Sequence, residues 1–338
     1  MIKKAIQKVI DKSSLSEKEM IETMNHIMEG KATDAQIASF ITALRMKGET
    51  IEEITGAAKV MREKATKIFI EDGVTCLDVV GTGGDKAHTF NISTTTAIVL
   101  AAGGVTVAKH GNRSVSSSCG SADVLKELGV NIEASKVIVE RCIRECNIGF
   151  LFAPSLHGAM KYAIGPRREI GVRTIFNCLG PLTNPAGADH QLVGVYDNSL
   201  VEPIANVLLN LGIHRAMVVH GDDGLDEITT TTKTYVAELS NKTIRTYYID
   251  PKDYGLGYSK LTDLRGGDAK ANADITISIL SGEKGHKRNT VILNAGSAFY
   301  IVNLTKSIQE GIKKAEEVID SGNALNTLNQ LIKISNQN

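Results

Sequence analysis

The chain has 338 residues, 42% of them hydrophobic, and its 38 lysines plus arginines balance 38 aspartates plus glutamates, so formal net charge is zero. That length buries a large core and suits two structural domains, while the charge balance argues against a protein whose main task is to grip nucleic acid. The longest mostly apolar run without charge, Thr96 to Ala108, is too short to span a bilayer and contains two glycines.

Met1 to Lys12 alternates lysines with apolar residues and has no signal-like apolar stretch, so a cytoplasmic protein without membrane association is expected. The first 67 residues read as helix, with apolar residues at helical spacing such as Ile37, Phe40, Ile41 and Leu44. Three capping boxes punctuate them: Ser16 with Glu19, Thr33 with Gln36, and Thr50 with Glu53. Gly30 and Gly48 stand where helices should end. This bundle carries no cluster of catalytic residue types.

From residue 74 strand-like apolar runs alternate with helices. Strand 76–80, helix 93–103, strand 105–109, helix 121–128 closed by Gly129, helix 136–146 and strand 148–152 follow in order. Residues 165–190 carry three of the six prolines and read as a segment that leaves the sheet and returns. Then come Leu192 to Tyr196, helix 200–211 and the run Ala216 to His220. Tyr235 to Leu239 and Thr243 to Ile249 suit an antiparallel pair. Helices at 271–281, 290–303, 305–320 and 323–334 close the chain. The alternation implies an α/β fold with a mostly parallel central sheet.

Three loops at expected strand ends are rich in chemistry. Gly81-Thr82-Gly83-Gly84-Asp85, followed by Asn91-Ile92-Ser93-Thr94, joins a strand to a buried helix. Glycines there allow positive φ and close backbone approach, and a helix N-terminus offers N–H groups to a phosphate. A turn without ligand is the bland alternative, and the hydroxyls of Ser93, Thr94, Thr95 and Thr96 weigh against it. Lys86 occupies the third glycine position of a dinucleotide fingerprint, and no P-loop segment exists.

The second loop runs from Lys109-His110-Gly111-Asn112-Arg113 through Ser114, Val115, Ser116 and Ser117 to Gly120-Ser121. Its cations, hydroxyls and following helix suit more negative charge, although a serine-rich surface turn has the same composition. The third loop, His220 to Thr229, sets Asp222, Asp223, Asp226 and Glu227 within six residues. Such carboxylates repel unless a cation sits among them, and hard oxygen ligands suit Mg²⁺; an acidic surface turn is the alternative. Five cysteines, at 76, 119, 142, 146 and 178, form no CxxC pair and read as reduced, buried apolar residues, although Cys142 and Cys146 are spaced to share a metal.

In this order, Gly-Thr-Gly-Gly-Asp, Asn-Ile-Ser-Thr, Lys-His-Gly-Asn-Arg and Gly-Leu-Asp-Glu resemble the anthranilate phosphoribosyltransferase family of tryptophan biosynthesis. The resemblance extends to Arg173 to Asn177, Gly180 to Pro185 and Gly266-Gly267-Asp268, and covers essentially the whole chain. It implies a small helical domain, residues 1–70 with an excursion at about 165–190, that joins a homodimer. A large catalytic α/β domain, 71–338, of the nucleoside phosphorylase/phosphoribosyltransferase kind would complete it. The implied substrates are phosphoribosyl diphosphate and anthranilate, and the implied cofactor is Mg²⁺.

By the same resemblance, contacts to phosphoribosyl diphosphate fall on Gly81, Gly84, Asp85, Thr89, Asn91, Ile92, Ser93 and Thr94, on every residue from Lys109 to Ser117, and on Ser121. Anthranilate contacts fall on Gly81, Asn112, His157, Arg167 and Pro181, and metal ligands on Ser93, Asp226 and Glu227. Gly158 departs from the family's proline after the histidine, and Arg168 adjoins Arg167. No residue is assigned as a general base. A pyrimidine nucleoside phosphorylase shares the two-domain plan but lacks Lys-His-Gly-Asn-Arg and the Asp-Glu pair. A nucleic-acid-binding relative would be expected to lose the acidic pair and gain a basic groove.

Overall fold

The structure, a computed structural model, describes residues 1–85, 87–114 and 119–337. Four helices open the chain: Ile2–Ile10, Glu17–Met28, Asp34–Lys47 and Ile51–Lys64. The last three begin in the expected capping boxes, each with its hydroxyl accepting from the N3 backbone and the N3 side chain reaching back. Gly48 ends the third helix at φ +90°, a conformation that suits a residue without Cβ.

The remainder is built on a seven-stranded sheet: β1 Cys76–Gly81, β2 Thr106–Gly111, β3 Ile148–Phe152, β4 His190–Gly194, β5 Arg215–Gly221, β6 Thr234–Ser240 and β7 Thr243–Ile249. The order is β3-β2-β1-β4-β5-β6-β7. β1 to β5 are mutually parallel, and β6 and β7 add antiparallel at one edge. Asn241 and Lys242, both at positive φ, make the tight turn between β6 and β7.

Successive strand residues alternate between two cores. Leu77, Val79, Val107, Leu192, Met217 and Val219 face helices Ile92–Ala102, His286–Ile301, Ile308–Asp320 and Asn323–Ser335. Val193, Ala216, Val218, Ala237 and Leu239 face helix Val201–Asn210 and share their core with the N-terminal helices. Burial on both sides explains why these strands read as unbroken apolar runs. Among the described residues no helix is long and apolar enough to cross a membrane.

The segment between β3 and β4 does leave the sheet, but it is not a loop. Helices Lys161–Ile170 and Ile175–Leu182 pack on the N-terminal bundle, placing Ala163, Ile175, Phe176, Leu179 and Leu182 in its core. Each holds a proline, Pro166 or Pro181. Proline lowers the local helical signal, and here the packing outweighs that cost. β4 begins two residues earlier than its apolar run suggested, because buried His190 and Gln191 belong to it.

Candidate active site

Chain connection reverses direction across the sheet between β1 and β4. In open α/β sheets the ligand crevice opens at such a switch, beyond the carboxyl ends of the strands. The glycine loop leaves β1 at this point and the acidic loop follows β5.

Gly81 and Gly194 face each other in the β1–β4 ladder. A Cβ on Gly81 would meet the Asp226 carboxylate, and one on Gly194 would meet the Asp226 backbone. Two facing glycines thus open the slot that Asp226 enters. Its Oδ2 accepts from the Gly83 N–H at 2.6 Å. Gly83 and Gly84 both have positive φ, so the glycines are required by conformation as well as by space.

Glu227 reaches the opposite wall, where its Oε1 accepts from the Ser93 N–H at 3.1 Å, at the start of helix Ile92–Ala102. Lys109 is buried and completes the group. Its Nζ donates to the Val79 carbonyl at 2.7 Å and lies 3.5 Å from Ser93 Oγ. Burial pushes both the Asp226 and Glu227 carboxyls well above the usual range. Asp85 adds repulsion at Asp226, and Asp226 adds it at Glu227. Burial also lowers Lys109, against the pull of Asp78 and Glu227.

Asp78 is fully buried in β1, and burial raises its carboxyl to about 6. Beyond the pairs Cys76–Thr106 and Leu77–Val107, its carboxylate takes the His110 N–H at 3.2 Å and the Asn184 side-chain amide at 2.8 Å. It therefore ties β1, β2 and the return of the excursion together. The His110 ring sits between Gly180 O, 3.1 Å from Nδ1, and His157 Nε2, 3.2 Å from its own Nε2.

Around the second loop, Ser121 Oγ and the Ala122 N–H both donate to Asn112 O at 3.2 Å. The Ser114 and Gly120 N–H groups are taken by Asp123 Oδ2 at 3.1 and 2.9 Å, and Arg113 pairs with Asp123 Oδ1 at 3.5 Å. At the start of this helix the Gly120 and Ala122 N–H groups are thus engaged within the protein. Val115, Ser116 and Ser117 lie outside the described residues.

The remaining expected residues differ in their placement. Asn91 meets the Asn272 amide at 3.0 Å and the Cys119 carbonyl at 3.3 Å. Thr89 bridges to Arg265. The Ile92 and Thr94 side chains are buried, and among the described residues Thr94 Oγ1 has no hydrogen-bond partner. Gly111 lies against Ser121 Oγ and the Phe150 ring. The Pro181 carbonyl accepts from Gln191 at 3.0 Å. Arg167 stacks on the Phe176 ring at 5.0 Å, half-buried, while Arg168 is exposed. Neither arginine contacts the Asp226 group.

Sequence reasoning missed Arg173 as part of the site. Its guanidinium donates to Gly84 O and lies 3.8 Å from the Tyr196 ring centroid. The segment Arg173 to Asn177 carries part of the resemblance, but nothing local signals the partner, because the contact spans 89 positions of sequence. Asp78 did leave a trace, a lone carboxylate within an apolar strand. The five cysteines are buried free thiols, and among the described residues no three His, Cys, Asp or Glu side chains are grouped to hold a metal by themselves.

Residues 73–325 match the family model described as "Glycosyl transferase family, a/b domain", and residues 3–65 that described as "Glycosyl transferase family, helical bundle domain". The chain is 59% identical to the anthranilate phosphoribosyltransferase of Alkaliphilus metalliredigens (strain QYMF), over 100% of this chain and 99% of that one. It is similar in structure to the anthranilate phosphoribosyltransferase of Thermus thermophilus, with TM-score 0.93, 41% identity and coverage of 98% and 99%. It is also similar to the Saccharomyces cerevisiae enzyme in complex with PRPP and Mg, with TM-score 0.90, 28% identity and coverage of 99% and 97%. The same yeast enzyme in complex with 4-fluoroanthranilate gives TM-score 0.88, 27% identity and coverage of 99% and 97%.

Proposed function

Because this chain belongs to the anthranilate phosphoribosyltransferases and so transfers the phosphoribosyl group of PRPP to anthranilate in tryptophan biosynthesis, we propose that the crevice between β1 and β4 performs the transfer. The observation that carries this reading is the convergence of Gly83, Ser93, Lys109, Asp226 and Glu227 at the switch point.

The diphosphate lies over the glycine loop and the start of helix Ile92–Ala102, where the positive helix end and the N–H groups other than those of Gly83 and Ser93, held by Asp226 and Glu227, stabilise the charge that grows as it departs. Lys109 and the Lys109–Ser117 loop add positive charge and hydrogen bonds. Asp226, Glu227 and Ser93 offer hard oxygen donors. Burial and like-charge repulsion raise both carboxylates, and with Ser93 they would hold a divalent cation that relieves this repulsion. Bound Mg²⁺, seen with PRPP in the yeast relative, supplies charge neutralisation for the leaving diphosphate.

Anthranilate approaches from the excursion side, among Asn112, His157, Arg167 and Pro181. Its arylamine is neutral at pH 7 and already nucleophilic, so holding it against the sugar C1 is the main task. Arg167 suits its carboxylate. The products are N-(5-phosphoribosyl)anthranilate and diphosphate.

A homodimer joined through residues 1–70 and the excursion belongs to the same reading. Met46, Val172 and Ile164, 83%, 57% and 44% exposed, lie on those elements. A cytoplasmic location goes with it, since a multiply charged sugar diphosphate does not cross membranes. The test is the loss of anthranilate fluorescence on mixing. Loss only when PRPP and Mg²⁺ are both present is expected; no loss under any condition would contradict the assignment.

A further inference from the structure

We propose that His157 accepts, at Nδ1, the proton released by the amine of anthranilate, and that His110 is a positioning residue that fixes the tautomer making this atom available. The inference rests on the transfer reaction assigned above.

The tautomers follow from heavy-atom contacts. A carbonyl oxygen only accepts, so the 3.1 Å contact between His110 Nδ1 and Gly180 O places a proton on Nδ1. In the neutral ring the other nitrogen, Nε2, then has only a lone pair. It lies 3.2 Å from His157 Nε2, so His157 must donate from Nε2. That leaves the lone pair of His157 on Nδ1. Among the described residues no hydrogen bond is made to that atom.

The environment keeps both rings neutral. Burial lowers His110 to about 3, with His157 and Lys109 adding repulsion. Burial lowers His157 to about 4, with Lys67 adding repulsion. The other charged group facing the pair is Asp78, whose carboxylate holds the His110 backbone N–H. A second proton on His110 would set N–H against N–H across the 3.2 Å contact. His110 is the penultimate residue of β2, beside Lys109, at the carboxyl edge where the crevice opens. Gly180 comes from the excursion that flanks the acceptor.

The step balances. The amine lone pair forms the N–C1 bond as the C1–O bond breaks, and that electron pair leaves on diphosphate. The nitrogen is then a secondary arylammonium and gives one proton to His157 Nδ1. An arylammonium is a strong enough acid for an imidazole of lowered basicity, because loss of the proton restores delocalisation into the ring. The Nε2–H bond from His157 to His110 becomes charge-assisted in the imidazolium. His110 passes no proton on, since Gly180 O cannot take one, and the proton leaves His157 for water on turnover.

Histidine ¹⁵N-labelled protein tests the tautomers directly through two-bond ¹H–¹⁵N correlations. Between pH 6 and 8, His110 should carry its proton on Nδ1 and His157 on Nε2. A His157 protonated on Nδ1 would overturn the proposal whatever the variants do. In single-turnover kinetics, His157→Asn should slow the transfer about a hundredfold, the low end for a positioned proton acceptor. Its anthranilate KM should change only a few-fold. His110→Gln, whose amide oxygen still accepts from His157 Nε2, should transfer at least about tenfold faster than His110→Leu, which should fall towards His157→Asn. Equal rates for His110→Gln and His110→Leu would reduce His110 to a packing residue. A wild-type rate in His157→Asn would remove the proton acceptor and leave the transfer assignment standing. Absence of turnover in the wild-type protein would instead count against the transfer assignment itself.

Discussion

Arg167 and Arg168 are adjacent, yet only Arg167 is half-buried and stacked on an aromatic face, that of Phe176. A guanidinium held this way is pre-organised to take a carboxylate. Removing a charge-assisted hydrogen bond costs about 1.5–3 kcal/mol, so Arg167→Ala should raise the anthranilate KM by about ten- to a hundredfold with little change for PRPP. The same effect in Arg168→Ala would move the contact by one residue. The histidine pair makes a second expectation, on stability. Its folded pKa values, about 3 and about 4, lie below the usual 6.5. The unfolded chain therefore binds more protons in that window. The contribution is full above pH 6.5 and is lost as pH falls through 6.5 towards 4. The urea midpoint of His157→Leu should fall less than that of wild type between pH 6.5 and 4.5; equal slopes would mean the pair is not held neutral. Residues whose chemistry is explicit, such as Ser93, Lys109, Asp226 and Glu227, were legible in the sequence. The role of Gly194 was not, because the Asp226 backbone that it makes room for arrives from 32 positions away.

At the scale of elements, the capping boxes were read correctly because they are local: hydroxyl and acid lie three residues apart on one chain turn. Glu53 does more than cap. Its carboxylate is fully buried and accepts from Leu15 N at 2.8 Å, Thr50 N at 2.8 Å and Lys47 Nζ at 2.9 Å. Glu53→Ala would leave Lys47, 6% exposed, without its charge partner, with Gly48 O at 2.6 Å and Ser14 Oγ at 3.3 Å still accepting from Nζ. Breaking a buried pair costs about 3–5 kcal/mol, and chemical denaturation should show a loss of that order. A loss below about 1 kcal/mol, the size of a cap alone, would mean that Lys47 finds water. The two helices of the excursion escaped sequence reading for the opposite reason. Their stability comes from apolar residues of the N-terminal bundle, remote in sequence, while Pro166 and Pro181 argue locally against helix.

For the whole molecule, the alternation of strands and helices was enough to foresee a mostly parallel sheet, whereas the strand order was not. Order decides which loops meet, and the switch between β1 and β4 brings the glycine loop to the acidic loop. The helical bundle holds none of these groups but presents Met46, Val172 and Ile164 on its outer elements. Light scattering at micromolar concentration should give twice the 36.3 kDa chain mass, and a stable monomer would contradict the proposed dimer. The central claim is that the Asp226–Glu227 pair and the glycine loop form one metal-dependent site for PRPP. It is tested most directly by following anthranilate consumption during a Mg²⁺ titration of wild type, Asp226→Asn and Glu227→Gln, each shown to be folded by circular dichroism. The expected result is full dependence on Mg²⁺ in the wild type, with both variants at least about a hundredfold slower at saturating metal, a loss equivalent to about 3 kcal/mol of transition-state stabilisation. Undiminished turnover of wild type and both variants in EDTA would contradict it.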